Sequence, residues 1–297
     1  MKMIYFVRFT IMRGMFRPKI GLALGGGGPK GLAHIGVIKT LLNHGIPIDY
    51  IAGTSAGALI GSLYAYSQDI ESVQRHIMDR NRLQLLSYFS DVSLNAGFIG
   101  GNRIEKFLGE YIREDNFKSL KVPFTALAVN LIDGKLVHLN HGSVVKAVRA
   151  SIAIPVLFKP VEIDDKILVD GGLISQVPVN TAFAMGADIV IAVQLDYRYD
   201  PEYDMNKLNP LQVGGLSFDI VGKRVADDEI KKAHIIIRPH LEAVDWGSLV
   251  NEKARITTIR MGVEETERNM LAITQLTKED SLFGRFKKVL NGFLNSR

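Results

Sequence analysis

The sequence has 297 residues, of which 47% are hydrophobic, and it contains no cysteine. This length and apolar content suit one globular domain, and the lack of cysteine excludes disulfide bonds and thiolate metal sites. Residues 1–19 and 281–297 hold nine of the 36 basic residues and none of the 31 acidic ones, so residues 20–280 carry a net charge of −4. That body is unsuited to nucleic acid, and we expect no nucleic-acid partner.

The N-terminal segment, residues 1–18, is basic and apolar. Its first fourteen residues, MKMIYFVRFTIMRG, lack the small-residue cleavage site and the uninterrupted apolar core of a signal peptide. We interpret the segment either as a basic membrane anchor or as an extension outside the natural protein, which would then start at Met15. Because no apolar run in the chain reaches the roughly 20 residues of a membrane span, we expect a cytoplasmic protein, free or peripheral at the inner membrane surface.

The first predicted strand, residues 20–24, leads into a glycine-rich turn. The stretch GLALGGGGPKGLAHIG contains seven glycines, and each one costs backbone entropy on folding. Pro29 suits the first turn of a helix, and apolar residues recur at helical spacing over residues 31–44. A helix that opens on bare backbone presents amide groups and a positive dipole end to an anion. The glycines therefore predict an anion-binding turn.

Three anions could occupy such a turn. A nucleotide triphosphate is excluded because the lysine is preceded by proline and followed by glycine, unlike a P-loop. The sequence does match the motif that binds a dinucleotide pyrophosphate, since Gly26, Gly28 and Gly31 form G-x-G-x-x-G. However, this fingerprint alone is weak, and Asp49 precedes the second strand instead of ending it as the ribose-binding acid should. The third anion is the oxyanion of an acyl-transfer reaction.

A second glycine turn favours the oxyanion. The stretch YIAGTSAG contains G-x-S-x-G at Gly53, Ser55 and Gly57, between a predicted strand and a helix predicted over residues 56–80. In that context the motif forms a nucleophile elbow. If the two strands are adjacent and parallel, the first turn supplies donors to an oxyanion and the second supplies the nucleophile. Because proline cannot donate, we expect the donors to be the amides of Gly26, Gly27 and Gly28.

The following elements alternate between strand and helix, which predicts a three-layer α/β/α fold with a mainly parallel central sheet. Helices are predicted over residues 101–113, 143–151 and 178–186, and from residue 250 to the end. The strand-like runs are FTALAVNL, LVHLN, KILVD, DIVIAVQL and HIIIRP. The stretch EIDDKI predicts a hairpin turn, and residues 196–215, which are polar and aperiodic, predict a surface loop or lid.

The base for the serine has two candidates. Asp170 ends the run KILVD and is followed by Gly171 and Gly172; a carboxylate can act as a base if its site is dry enough to raise its basicity. His240 follows the run HIIIRP, and with Asp196 as its acid it would complete a Ser-His-Asp triad. Spacing alone leaves both open.

The motifs GGGGPKG, GTSAG and DGG, in this order, resemble the three signatures of patatin-like phospholipases, and more narrowly those of bacterial proteins grouped with the neuropathy target esterase catalytic domain. The stretch AVRASIAIPVLFKPVEI is also typical of that group. The resemblance runs from about residue 19 to 239 and implies a catalytic domain over residues 19–265. Further motif positions that the resemblance marks are Lys30, which stands where many relatives carry Arg, and Gly31, Gly53, Gly57, Gly171 and Gly172.

The resemblance also implies a reaction. It gives a dyad without histidine, in which Ser55 is the nucleophile and Asp170 the base, and it gives fatty acyl esters of phospholipids or lysophospholipids as substrates. No cofactor and no metal are expected. Because the family includes members whose enzymatic role is unclear, the alternative from another class is a catalytically idle regulatory or lipid-binding protein.

The C-terminal segment, residues 266–297, is predicted as a basic amphipathic tail. In LFGRFKKVLNGFLNSR the apolar residues recur every three or four positions, with basic and polar residues mostly between them. This pattern fits an interfacial helix on anionic lipid and equally a helix packed on the domain. The expected partners are therefore an acyl-ester lipid substrate and, through the tail, a membrane surface.

Overall fold

The structure of the protein, a computed structural model, describes residues 17–88, 90–91, 99–195 and 210–279. The predictions for residues 1–16, for Asp196 and for the tail beyond residue 279 lie outside this part of the chain. None of the described helices is long and apolar enough to cross a membrane.

One sheet of eight strands forms the centre of the described region. The strands are β1 Ile20–Leu24, β2 Tyr50–Thr54, β3 Phe124–Asn130, β4 Leu136–Leu139, β5 Val161–Ile163, β6 Lys166–Asp170, β7 Ile189–Val193 and β8 Ile235–Ile237. Their order is β5-β6-β3-β2-β1-β7-β8, with β4 also paired to β3. The run β3-β2-β1-β7-β8 is parallel throughout, whereas β3 pairs antiparallel with β4 and with β6, and β5 pairs antiparallel with β6. The α/β fold is confirmed, with a mixed sheet.

Helices cover both faces of the sheet. They are α1 Ala33–Asn43, α2 Ala56–Ser67, α3 Ile70–Met78, α4 Arg82–Ser87, α5 Asn102–Tyr111, α6 Val144–Ser151, α7 Val179–Ala184, α8 Pro210–Glu229 and α9 Glu252–Glu279. Strand β1 directs Leu22 and Leu24 into the larger core cluster and Ala23 into the smaller cluster on the other face. Alternate residues of a strand point to opposite faces, so these two clusters establish the three layers.

Several predicted elements change their bounds in the structure. The helix predicted over residues 56–80 is two helices, because Gln68 adopts a left-handed φ of 54° and Asp69 caps α3 by accepting from the Ser72 amide at 2.9 Å. The hairpin EIDDKI is confirmed, with β5 and β6 joined through Asp164 and Asp165 at φ 50° and 57°, the left-handed conformations of a type I′ turn.

Two helices were not predicted. The expectation of a loop over residues 196–215 is wrong for its last six residues, which begin α8. Pro210 is its first residue, a position where proline is compatible with a helix, but the neighbouring glycines concealed the helical pattern. Helix α4 has only six residues, too few to show a period.

Helix α9 packs against α1 through two glycines. A side chain at Gly36 would collide with the α9 backbone at Ile259, and one at Gly262 would collide with the α1 backbone at Ala33. These contacts hold the two helix axes close together. The domain boundary predicted after residue 265 falls inside α9, and residues 280–297 lie outside the described part of the chain.

Candidate active site

The glycine turn and the serine turn lie side by side at the carboxyl ends of β1 and β2. These strands are parallel neighbours in which Leu24 pairs with Gly53. The segment after the DGG motif joins them: Thr54 Oγ1 donates to the Ser175 carbonyl at 2.7 Å, and the Gly26 amide donates to the Gln176 carbonyl at 3.0 Å. The three motifs therefore form one site.

Strand register brings Asp170 to the level of Ser55. Strand β3 runs parallel to β2 and continues beyond it, since Leu127 pairs with Thr54, the last residue of β2. Strand β6 enters from the opposite direction, and its Asp170 pairs with Ala128, one residue beyond that level. The aspartate thus ends its strand where the serine follows its own.

Ser55 has the conformation of a nucleophile elbow. It lies between β2 and α2 with φ 52° and ψ −120°, a region that non-glycine residues rarely adopt, and it is 5% exposed. Its backbone amide donates to Ser151 Oγ at 3.0 Å. A side chain at Gly57 would collide with the Leu24 carbonyl, and one at Gly53 would lie 2.7 Å from the Ala58 backbone. The sharp turn therefore requires glycine on both sides of the serine.

Asp170 is fully buried and only partly hydrogen-bonded. Its Oδ1 accepts from the Gly172 amide at 2.8 Å, while its own amide donates to the Ala153 carbonyl at 3.0 Å. No partner among the described residues completes a hydrogen bond to Oδ2. Burial raises the pKa of this carboxyl to about 7, although the Ser55 hydroxyl and the Gly172 amide act to lower it. The serine hydroxyl and a basic carboxylate thus face each other.

Neither His240 nor His34 is placed to act as the base for Ser55. His240 is exposed, and no hydrogen bond in the described part of the chain links it to Ser55. His34 is fully buried, with Nε2 2.8 Å from the Gly25 carbonyl. Burial lowers the pKa of His34 to about 4 despite this hydrogen bond, so at neutral pH the ring is uncharged and supports the glycine turn as a donor to Gly25.

The amides of the glycine turn are not equivalent. The Gly26 amide is engaged with the Gln176 carbonyl, which makes it unavailable to an oxyanion and departs from the expected set of three donors. The amides of Gly27 and Gly28 have no acceptor within the described ranges. Gly28 has φ 53°, which favours glycine, and lines the same pocket as Ser55.

The remaining glycines of the motifs allow neighbouring turns to pack closely. A Cβ on Gly31 would lie 2.5 Å from the Cβ of Ala56, and one on Gly171 would lie 2.5 Å from the Leu127 carbonyl oxygen. A Cβ on Gly172 would collide with the Gln176 side chain in the same way. Lys30 is half-buried in the short 3-10 helix after the glycines, where its amide donates to the Gly27 carbonyl at 3.2 Å.

An apolar pocket of about 160 Å³ opens beside Ser55. Its walls are apolar and include Ile60, Phe107, Ile152, Phe158 and Leu249. Arg80 is the charged residue of the lining; its guanidinium pairs with Glu110 at 2.6 Å and lies 5.5 Å from the centre of the Phe107 ring. The pocket therefore offers apolar surface to whatever group lies next to the serine.

The profile of the patatin-like phospholipase family matches residues 22–183, more than half of the chain. The chain belongs to this family. An uncharacterized NTE family protein of Mycobacterium tuberculosis is 37% identical over 188 residues, 62% of this chain and 51% of the relative. The lysophospholipase NTE1 of Mycosarcoma maydis is 32% identical over 179 residues, 59% of this chain and 10% of the relative. The chain thus spans about half the length of the first curated relatives it matches.

A solved structure shows the same patatin-like fold. VipD from Legionella pneumophila superposes with a TM-score of 0.51 at 14% sequence identity, over 85% of this chain and 66% of that one. At this identity the likeness concerns the fold alone.

Sequence reasoning missed two buried polar residues of this patatin-like site. Ser151, which holds the Ser55 amide, ends α6 almost a hundred positions away. Gln176 is 2% exposed, and its side chain lies where a Cβ of Gly26 or Gly172 would be. Gln176 lies outside the quoted motifs, and Ser151 lies in the stretch AVRASIAIPVLFKPVEI without being singled out there. The local signal of each is only a polar residue inside an apolar run.

Proposed function

We propose that the protein is a serine hydrolase that cleaves fatty acyl esters of phospholipids or lysophospholipids through a Ser55–Asp170 dyad. The observation that carries this proposal is the fully buried Asp170 carboxyl, whose pKa burial raises to about 7, facing a serine in an elbow conformation. A carboxylate of that basicity can accept a proton near neutral pH. The activity in the name of the relative NTE1, a lysophospholipase, supports the reaction class.

In this proposal the ionised Asp170 accepts the proton of the Ser55 hydroxyl as its oxygen attacks the ester carbonyl. The amides of Gly27 and Gly28 donate to the oxyanion of the tetrahedral intermediate. Protonated Asp170 then gives the proton to the departing alcohol, which leaves an acyl-enzyme. Asp170 then deprotonates a water molecule that attacks the acyl-enzyme. As the fatty acid leaves, Asp170 returns this proton to the Ser55 oxygen, which restores both groups.

The apolar pocket supports the choice of acyl chain as substrate. The described lining beside Ser55 is mostly aliphatic and aromatic, and its arginine, Arg80, is already paired with Glu110. Burying a hydrocarbon chain there is favourable by about 0.8 kcal/mol per methylene group. We propose that the enzyme works in the cytoplasm, in contact with the inner membrane surface where such substrates reside.

A fluorophosphonate probe tests the dyad most directly, because it labels only an activated serine. We expect labelling of the wild type and of His240→Ala, none of Ser55→Ala, and labelling of Asp170→Asn slowed by about a thousandfold or more. Loss of labelling in His240→Ala with retention in Asp170→Asn would replace the dyad by a histidine triad. An unlabelled wild type in the presence of lipid would favour the catalytically idle protein.

A further inference from the structure

Helix α4 places two leucines on the protein surface beside the pocket. Leu83 is 77% exposed and Leu86 is 46% exposed, whereas Leu85 between them is buried and lines the pocket. Three positions separate the two exposed leucines, so they lie on the same side of the helix. The inward face of α4 thus forms pocket wall, and its outward face is apolar as well.

Trp246 extends this exposed apolar surface to the pocket. The short 3-10 helix Trp246–Val250 packs against α4. Trp246 is 49% exposed and lines the pocket, and its ring lies 3.2 Å from where a Cβ of Gly28 would be. We call Leu83, Leu86 and Trp246 the α4 surface. It is continuous with the pocket that leads to Ser55.

Charges at the two ends of α4 suit the phosphates of a lipid surface. The helix begins at the exposed Arg82 and contains no acidic residue. At its other end the exposed Arg103 donates to the Ser87 carbonyl at 3.2 Å. Guanidinium groups bind phosphate, while leucine and tryptophan favour the acyl and interfacial layers. Asp91 accepts from the Asn102 amide next to Arg103, and Asp245 precedes Trp246, so two carboxylates offset the two guanidinium groups.

We propose that the α4 surface docks on a phospholipid bilayer, so that an acyl chain enters the pocket directly from the membrane. This proposal rests on the proposed function, which supplies a lipid substrate for the pocket. Because the local charges nearly balance, the leucines and the tryptophan carry the contact. Binding through this surface therefore depends little on salt, whereas salt would weaken any binding that relies on the basic residues of the tail.

The test compares full-length variants in a Ser55→Ala background, where no hydrolysis disturbs the vesicles. Leu83→Ser and Leu83→Ser/Leu86→Ser are measured against Leu271→Ser, a matched control on α9 that is 72% exposed. Co-sedimentation with phosphatidylcholine vesicles should show about tenfold weaker partitioning of the double variant, a smaller loss for Leu83→Ser, and no change for the control. Melting curves should coincide, since all three side chains are on the surface.

A second measurement uses the same leucine substitutions with Ser55 intact. The double variant should hydrolyse a short water-soluble ester at the wild-type rate and vesicle phospholipid about tenfold more slowly. If Ser55 fails to react with the fluorophosphonate while vesicle partitioning still depends on the leucines, the esterase proposal fails and the docking surface stands.

Three outcomes would overturn the docking surface. The first is a double variant that sediments with vesicles like its Ser55→Ala parent; vesicle binding that salt strongly weakens would then indicate the basic tail. The second is a Ser55→Ala parent that does not bind vesicles at all. The third is a wild-type dimer in sedimentation equilibrium that the double variant dissociates and vesicles do not, which would assign the surface to a second copy of the chain.

Discussion

Asp49 and Asp170 lie at opposite ends of the same part of the sheet and have opposite surroundings. Asp49 precedes β2 and accepts from both Nη atoms of Arg17, from Lys19 Nζ and from the Ile20 amide. Burial acts to raise the pKa of Asp49, but these hydrogen bonds and the Arg17 charge together lower it. Among the described residues, Asp170 accepts a hydrogen bond from one backbone amide and has no cationic partner, and burial raises its pKa to about 7.

The difference separates a structural carboxylate from one suited to proton transfer. A carboxylate with several donors is stabilised in its ionised form and is a poor base, whereas one that is buried with a free oxygen is costly to ionise and takes up a proton readily. The comparison also removes Asp49 as the ribose-binding acid of a dinucleotide site. Asp49 contacts residues at the start of β1, at the end of the strands remote from the glycine turn, where it cannot bind a ribose.

The strongest test exchanges each aspartate for asparagine. Asp170→Asn keeps an acceptor for the Gly172 amide but removes the proposed base, so we expect kcat to fall by about 10⁴-fold. Asp49→Asn should keep kcat within a factor of about two and lose about 1–3 kcal/mol of unfolding free energy, because charge-assisted hydrogen bonds are removed. Steady-state kinetics on a soluble ester and urea denaturation measure the two effects. Comparable activity losses in both variants would contradict the separation of roles.

The pH dependence of the rate should follow Asp170. The base must be ionised, so kcat/KM should rise about tenfold per pH unit below pH 7 and level off above it, with an apparent pKa near the value of about 7 set by burial. The measurement is a pH–rate profile with a neutral, water-soluble ester. A profile that is flat between pH 5 and 8 would exclude this carboxyl as the base.

The same group should make stability depend on pH in the opposite direction. Its pKa is raised from 3.8 in the unfolded chain to about 7 in the folded one, so between these values the native state binds more protons and the unfolding free energy falls as pH rises. The Asp170→Asn variant has no carboxyl to ionise in the buried site, so it does not lose stability in this way as the pH rises. Its melting temperature should therefore exceed that of the wild type by more at pH 8 than at pH 5, and an equal difference at both would contradict the raised pKa.

The local sequence was sufficient to predict the turns of this site, but it could not predict how the turns are positioned relative to one another. The strand–glycine–helix pattern around Gly28 and around Ser55 is encoded within about fifteen residues, and the structure has both. The alignment of Asp170 with Ser55 instead depends on the length of β3 and on an antiparallel β6, which the run KILVD does not reveal. The occupied amide of Gly26 depends on the Gln176 carbonyl, 150 positions away.

The glycine turn gives the next largest effect. Gly28→Ala should lower kcat by up to about 100-fold with little change in KM, because it displaces a proposed donor to the oxyanion, and such a donor matters most in the transition state. Gly45→Ala is the matched control: Gly45 also has a positive φ, 69°, and a Cβ added there would meet nothing within 4 Å. The Gly45→Ala variant should pay the same conformational cost for a side chain at positive φ, but its kcat should stay at the wild-type value. Equal loss of kcat in both would reduce the effect to backbone strain, and weaker NADH or ATP binding by Gly28→Ala would revive a nucleotide site.

The smallest effect separates Ser151 from other buried serines. Ser151 Oγ accepts from the Ser55 amide and helps to hold the serine at φ 52°, so Ser151→Ala leaves a buried donor unpaired in a strained turn. We expect kcat and the fluorophosphonate labelling rate to fall about tenfold, with KM unchanged because the pocket is untouched. Ser62→Ala removes the same atom from an equally buried residue that donates to the Leu59 carbonyl on α2. In urea denaturation both variants should lose a similar amount of unfolding free energy, but only Ser151→Ala should have a lower kcat. If the two variants kept the same kcat, Ser151 would be a packing residue, and the turn at Ser55 would keep its geometry without it.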